Sequence, residues 1–330
     1  RSGGNYSVGF QQVEGAAFML SEWTHEQPNE YAAEGPVIMG AYGWGLQGWD
    51  VSYHFLFGAR DGFSNRLGIN TWDANNPAML ATFPIVSRMV RRMDIQESPE
   101  TFLLKAHRPS LLKGQMSFRG ETFQNRDQKL FSSDKAPVEA LAATRVAIDF
   151  TETYQETPDF NLAPYVEGNT VVAANHQLRW TKGSDSEPNS GHVVIKSKKT
   201  KGFVGFSSGE ETFDLGDGFS ITPGKGFSVI LLTARNKTGT LLNGDDILLV
   251  AMARARNSGM RFNEAENVIL EKGDTPIVLE PVTAIITTPF DGTLDLLDHD
   301  GIAATSSRSF QNTLHINGML DRSPFYQIRR

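Results

Sequence analysis

Residues 18–34 read Phe-Met-Leu-Ser-Glu-Trp-Thr-His-Glu-Gln-Pro-Asn-Glu-Tyr-Ala-Ala-Glu, and Glu22 is the residue among them best placed for chemistry. A carboxylate that closes an apolar, strand-like stretch is costly to keep charged unless hydrogen bonds hold it or it works. Ser-Glu-Trp alone leaves both readings open, a structural Glu or a reactive one. Trp23, Trp49, His54 and Phe55 are flat side chains nearby in the chain. Such groups either present a face to a ligand or fill a core, and the sequence permits both. His25 and Asn29 could orient Glu22 or bond a ligand, or Asn29 could merely cap a helix. Glu26 reads as a solvated loop residue, or as a second acid that tunes Glu22. Further on, Arg60-Asp-Gly-Phe63 and Asn70-Thr-Trp-Asp73 fall in a loop where Trp72 is the residue best suited to a contact.

The elements that must position these residues differ along the chain. The apolar run 15–23 is too continuous for a half-exposed strand and is expected to be buried on both faces of a parallel sheet. After a polar turn, residues 29–47 carry apolar positions near helical spacing, with Asn29 as N-cap and a bend expected near Gly35 and Pro36. Residues 48–57 read as a second strand. Residues 77–93 read as an amphipathic helix with Leu80, Val86, Met89 and Met93 on its apolar side. Strand, helix, strand, helix is the order of a parallel β-α-β-α unit. Residues 97–137 look polar and irregular. From 169 onward short apolar runs recur between Gly-rich turns, the spacing of a β-sandwich. The expected division is an α/β portion over 1–95, a connecting segment over 96–165 and an all-β sandwich domain over 166–330.

Taken together, Ser21-Glu-Trp23, Pro28-Asn29, the acidic residue of the following helix, Ala41-Tyr-Gly43 and Gln47-Gly-Trp-Asp50 resemble the seventh and eighth strand regions of clan A glycoside hydrolases. The likeness is to bacterial β-galactosidase-like and agarase-like enzymes, and weaker motifs extend it through 178–180, 191–195, 200–206 and 253–259. The resemblance implies that 1–95 is the last two β/α units of a (β/α)8 (TIM) barrel. It also implies that Glu22 is the nucleophile of a retaining glycosidase, forming a glycosyl-enzyme intermediate. Trp23, His25, Asn29, Trp49, His54, Phe55 and Trp72 would then be the sugar-binding residues. Barrel active sites lie at C-terminal strand ends, which suits Glu22 and puts Asp50 at the opposite end, where stability roles dominate. Retention also needs a second carboxyl about 5–5.5 Å away as acid/base. In the family that group lies on strand four, which is not legible here, and a whole barrel takes about 250 residues. The expected partners are therefore a carbohydrate substrate and an N-terminal fragment or companion chain supplying barrel strands 1–6. Arg1-Ser-Gly-Gly4 reads as an internal point of a longer precursor, and the bacterial likeness favours a secreted or periplasmic location.

Composition narrows the alternatives. With 39% apolar and 21% charged residues, a chain of 330 residues should form two globular domains. A net charge of -7 with scattered cations argues against nucleic acid as a partner. The one basic run, Lys196-Ser-Lys-Lys-Thr-Lys201, reads as a solvated hairpin. No apolar run approaches the ~20 residues of a membrane span. The chain has no cysteine, so disulfides and thiolate chemistry are excluded. Residues 295–301 lack the ligand alternation of a calcium loop and read as a turn. No phosphate loop or serine-hydrolase elbow is present, so neither a metal nor a cofactor is expected. Gly216-Asp-Gly218 reads as a hairpin turn. Two other functions remain open: a carbohydrate-binding or accessory module, and a catalytically inactive homologue. Trp180 is the only tryptophan after Trp72, which argues against a binding module built on the sandwich.

Overall fold

The computed structural model describes residues 6–25, 27–55, 65–69, 72, 74, 76–125, 128–184, 186–187, 189–264 and 268–330. Glu26, Arg60-Asp-Gly-Phe63 and, of the second loop motif, Asn70, Thr71 and Asp73 lie outside the described residues.

The first half of the chain contains β1 (Met19–Trp23), α1 (Glu34–Ile38), β2 (Val51–His54), α2 (Pro77–Leu80), α3 (Phe83–Arg91), β3 (Thr101–His107), α4 (Arg108–Leu111), β4 (Thr122–Asn125), β5 (Gln128–Phe131), α5 (Ala140–Ala143) and β6 (Arg145–Thr151). β1 pairs with β2 in parallel, and β3 pairs with β6 in parallel, each as a separate two-stranded sheet. A π-helical stretch, Met39–Leu46, continues α1. Its glycines permit close packing. A Cβ on Gly43 would come within 2.5 Å of the Trp49 ring, and one on Gly40 within 2.9 Å of Met89. Pro36 falls in the first turn of α1, where its missing N–H has no helical partner to lose.

Residues 77–93 do not form one helix. Asn76 caps α2 through its Oδ1, which accepts from the Ala78 and Met79 amides, with Pro77 at the first helical position. Pro84 cannot donate to the carbonyl four residues back, so the helix breaks and restarts as α3. Met93, expected on the apolar side, is exposed and adopts φ +51° beyond the end of α3.

The second half is antiparallel throughout: β7 (Val166–Glu167), β8 (Thr170–Val172), β9 (Leu178–Thr181), β10 (His192–Lys196), β11 (Thr200–Ser207), β12 (Phe213–Gly216), β13 (Phe219–Pro223), β14 (Gly226–Ala234), β15 (Asp246–Met252), β16 (Ala255–Ser258), β17 (Arg261–Phe262), β18 (Ile269–Glu271), β19 (Asp274–Leu279), β20 (Thr283–Thr287), β21 (Gly292–Leu297), β22 (Ala303–Phe310), β23 (Thr313–Asn317) and β24 (Phe325–Arg329). Ten of these strands form one sheet in the order β22-β21-β24-β15-β14-β11-β10-β9-β8-β7, and β12-β13-β20-β23 form a second.

Alternation along the strands assigns the cores. Ile230 and Leu232 of β14 meet Phe213, Ile221 and Ile286 of the four-stranded sheet, while Val229 and Leu231 face the first half of the chain, with Val37, Tyr42 and Leu141. The large sheet is therefore covered on both faces, which explains why its central strands read as unbroken apolar runs. The β12–β13 hairpin turns through Asp217 and Gly218, both at positive φ. The Lys196–Lys201 hairpin is not wholly solvated. Lys201 is 1% exposed, and its Nζ donates to the Leu215 carbonyl at 2.7 Å and pairs with Asp217 at 3.0 Å.

The expected last two units of a (β/α)8 barrel are not present. About 40% of the molecule is strand and 15% helix, an antiparallel sheet dominates, and the helices are too few for a barrel portion. The physical source of the misreading lies in residues 15–23. Of these, Phe18 is buried, whereas Gly15, Ala16, Ala17, Met19, Ser21 and Glu22 are exposed. An apolar run signals a buried strand only when neighbours cover it, and among the described residues β1 has β2 alone.

Candidate functional site

β1 and β2 run side by side with Met19 opposite Val51, Leu20 opposite Ser52 and, after an irregularity, Trp23 opposite His54. The start of the pair is pinned by Asp50, whose Oδ2 accepts the Phe18 amide at 2.8 Å, and its end by the Phe55 amide, which donates to the Trp23 carbonyl at 2.8 Å. Glu22 is exposed on β1, and among the described residues no hydrogen bond or ion pair engages its carboxylate. The desolvation cost expected from a doubly buried strand therefore does not arise.

Beyond β1 the chain is held by a side-chain network. The Asn29 Oδ1 accepts the Tyr31 amide at 3.0 Å, which orients its Nδ2 toward His25 Nδ1 at 3.2 Å. His25 Nδ1 is thus an acceptor, and the neutral ring carries its proton on Nε2. Burial, followed by the charge of His54, pushes the His25 pKa down to about 4, so the ring is neutral near pH 7. The ring lies against α1, where a Cβ on Gly35 would fall 2.1 Å from Nε2. Gln27 donates to the His25 carbonyl at 3.1 Å, and Asn76 Nδ2 donates to the Asn29 carbonyl at 3.0 Å and to Gln27 Oε1 at 3.3 Å. Next along, the nearly buried Glu30 accepts from Arg256 Nε at 2.7 Å and Nη2 at 2.6 Å, and Arg256 lies on β16. The antiparallel half thereby anchors the segment that carries His25 and Asn29.

Trp23 and His54 do not stand with Glu22. Their rings meet edge to face, centroids 4.6 Å apart, and His54 meets Phe83 of α3 at 6.1 Å. With Pro36, Trp44, Ser52, Val86, Ser87, Val90 and Arg91 they line a cavity of about 250 Å³ in which Glu22 takes no part. Trp23 Nε1, Ser52 Oγ and His54 Nε2 are buried there without a hydrogen-bond partner among the described residues. Burial lowers the His54 pKa.

The remaining expected sugar contacts separate. Trp49 is 3% exposed, packed on Phe18 at 5.2 Å and against Gly43, so it has no free face for a ligand and belongs to the core. Phe55 is half-buried just past β2, and Trp72 is 38% exposed in a turn. Gln47, beside Trp49 in sequence, is fully buried and structural: its Nε2 donates to the Leu141 and Thr144 carbonyls and its Oε1 accepts the Val146 amide.

Sequence reasoning missed two features. One is the cavity wall formed by Trp44 and α3. The other is Glu34, 7% exposed at the start of α1, whose pKa burial pushes up to about 8, making it a protonated acid at neutral pH. An acid within an otherwise apolar helical stretch was the available signal. Among the described residues no group of three His, Asp or Glu side chains is arranged to hold a metal. Of residues 295–301, read from the sequence as a turn, the first three belong to β21; in the turn that follows, Asp298 Oδ1 accepts the Asp300 and Ile302 amides. No helix is long and apolar enough to cross a membrane. Compared with known protein families, characterised proteins and solved structures, the chain matches none.

Proposed function

We propose that this chain carries the nucleophile, Glu22, of a retaining hydrolase acting on β-glycosidic bonds of an oligo- or polysaccharide. One observation carries the reading. Glu22 stands exposed and unengaged among the described residues, one residue before the end of a parallel strand, and the segment that follows is locked by His25, Asn29, Gln27 and Asn76. A free carboxylate on a fixed strand can attack an anomeric carbon. Neutral His25, bonded to Asn29 through Nδ1 and packed against Gly35 at Nε2, holds that segment in place without adding charge. The local motif likeness to clan A enzymes supports the same assignment, whereas the argument from barrel strand ends has lost its basis. Direct attack requires an acid/base carboxyl about 5–5.5 Å from Glu22. A companion chain that supplies that group is part of the proposal.

The test is trapping. A 2-deoxy-2-fluoro glycoside with a good leaving group, incubated with the assembled protein, should leave a covalent glycosyl adduct on the peptide containing Glu22, read by mass spectrometry. Hydrolysis of glycosides with no adduct at Glu22, or with the adduct elsewhere, refutes the assignment. A second reading is sugar binding without turnover, in which Glu22, exposed on β1, bonds a sugar hydroxyl. The same experiment distinguishes it, since a binding module retains the sugar and forms no covalent product.

A further inference from the structure

Cations gather at one end of the large sheet, although the whole chain carries a net charge of -7. Three segments meet there. The Arg92 guanidinium, just past α3, donates to the Ala234 and Asn236 carbonyls, at and beyond the end of β14, and to Thr233 Oγ1. The Ala234 amide in turn donates to the Lys199 carbonyl in the β10–β11 turn, and the Leu241 amide to that of Lys198. These contacts bring Arg88 and Arg91 of α3, Lys198 and Lys199 of the turn, and Arg235 and Lys237 of the β14–β15 loop to the same end.

Few carboxylates answer them. Asp94 is buried and accepts from Arg92 and the Thr200 hydroxyl, Asp246 faces Arg235 at 3.6 Å, and Asp245 accepts from Asn236 Nδ2 at 2.8 Å. Among the described residues no ion pair engages Arg91, Lys198, Lys199 or Lys237; Lys199 is half-buried and the other three are exposed. Arg88 donates to the Arg235 carbonyl, which holds it in the field of like charges. Burial, then the charges of Arg92 and Arg235, draw its pKa down, with Asp246 opposing. Cations left uncompensated on a fixed backbone raise the local concentration of anions and favour a ligand that carries several.

Because these cations sit on three separate segments, an extended chain with repeated anionic groups can meet several at once. Nucleic acid fits less well. Single strands are held by rings that stack on their bases, and residues 84–91, 197–199 and 235–242 contain no aromatic side chain. Arg91 also borders the cavity that Trp23, next to Glu22 in the chain, helps to line, so the surface adjoins the end of β1. We propose that this end of the sheet binds a linear polysaccharide bearing sulfate or carboxylate groups. The choice of a saccharide rests on the glycosidase reading; the charge comes from the surface alone.

The test titrates the full chain by calorimetry, at low and at high salt. Dextran sulfate and polygalacturonate represent the two anions, plain dextran the neutral control and a thymidine oligonucleotide the other class of polyanion. Saturable binding of at least one charged saccharide is expected, weakening with salt, and none of dextran. Lys198→Glu combined with Lys237→Glu should weaken it about tenfold with the melting temperature unchanged, and Arg91→Gln should act in the same direction by less. Lys225→Glu makes the same change at an exposed position about 30 Å away, at the other end of β14, and should have no effect. Equal losses at the two ends, no binding of either charged saccharide, or tighter binding of the oligonucleotide than of both overturns the proposal. Glu22→Gln should leave this binding intact. Polyanion binding with no trapped adduct at Glu22 would therefore remove the nucleophile and keep the surface, and an adduct without polyanion binding would do the reverse.

Discussion

β14 lies between β11 and β15 and packs side chains into a core on each of its faces, whereas β1 has β2 as its one strand neighbour among the described residues and leaves Met19 58% exposed. Both strands are rich in apolar residues. What differs is the number of partners that tertiary structure brings. In β14 the hydrogen-bonding edges are used up by neighbouring strands and both faces are dry, so the strand is inert scaffold. In β1 an edge without a strand partner among the described residues and an exposed face remain, and the strand's carboxylate, Glu22, stands on that face. Where backbone and side chains are fully satisfied there is little left for chemistry. The candidate site occurs where satisfaction is incomplete.

That contrast can be broken or sharpened by measurement. The largest effect is expected in turnover: Glu22→Gln should reduce glycoside hydrolysis by the assembled protein on the order of 10³-fold or more, with the melting temperature unchanged because the side chain is exposed. Wild-type rates in that variant would remove β1 from the mechanism. Leu231→Ala in β14 opens a cavity between the sheet and the first half of the chain and should cost about 4 kcal/mol by denaturant unfolding. Arg256→Met tests the tie between the two regions. It leaves Glu30 charged and buried, with Arg254 Nη1 at 3.6 Å as the remaining cation, and should cost about 3 kcal/mol. The double variant with Glu30→Met should recover most of that loss; failure to recover would mean that the pair is not the connecting element.

A smaller effect depends on pH. Glu34 titrates near 8 in the fold and near 4.5 when unfolded, so its contribution is complete below 4.5 and is lost as pH rises through 8. His25 runs the other way, complete above 6.5 and lost as pH falls through about 4. Between 4.5 and 6.5 the two slopes oppose, and His54 and His192, also held below the usual imidazole value by burial, add to the His25 side. From 6.5 to 8 the Glu34 slope acts alone, a loss of about 2 kcal/mol. Glu34→Gln should abolish that alkaline decline; an unchanged decline would mean that Glu34 is already ionised in the fold. The smallest effect belongs to β1 itself. Met19→Ala should change stability by less than about 0.5 kcal/mol, and a core-sized penalty would show that β1 is covered after all.

Local sequence carried the antiparallel half well because its signals are local. The run 227–233 between Gly226 and the polar stretch after Ala234, or Asp217-Gly218 between two strands, fixes strand and turn from adjacent residues alone. The bond between His25 and Asn29 was not legible even at four residues' distance: Asn29 read as the N-cap of a helix that starts only at Glu34. Nor was the cavity. It joins Trp23, Ser52, Phe83 and Arg91 from elements that sequence reads separately. Gln47 looked like part of a chemical motif, yet its partners near residues 141–146 make it a structural pin.

By itself the sequence determined the strand periodicity of the second half, the turns that separate its strands and the carboxylate at the end of β1, because each depends on steric and hydrogen-bonding preferences within a few residues. Tertiary structure alone decided which apolar runs became dry. It also decided that Trp49 would be core and Trp23 cavity wall, and that Arg256 would hold Glu30 from 226 positions away. Burial is a property of neighbours, and neighbours distant in the chain leave no mark on the residues between them.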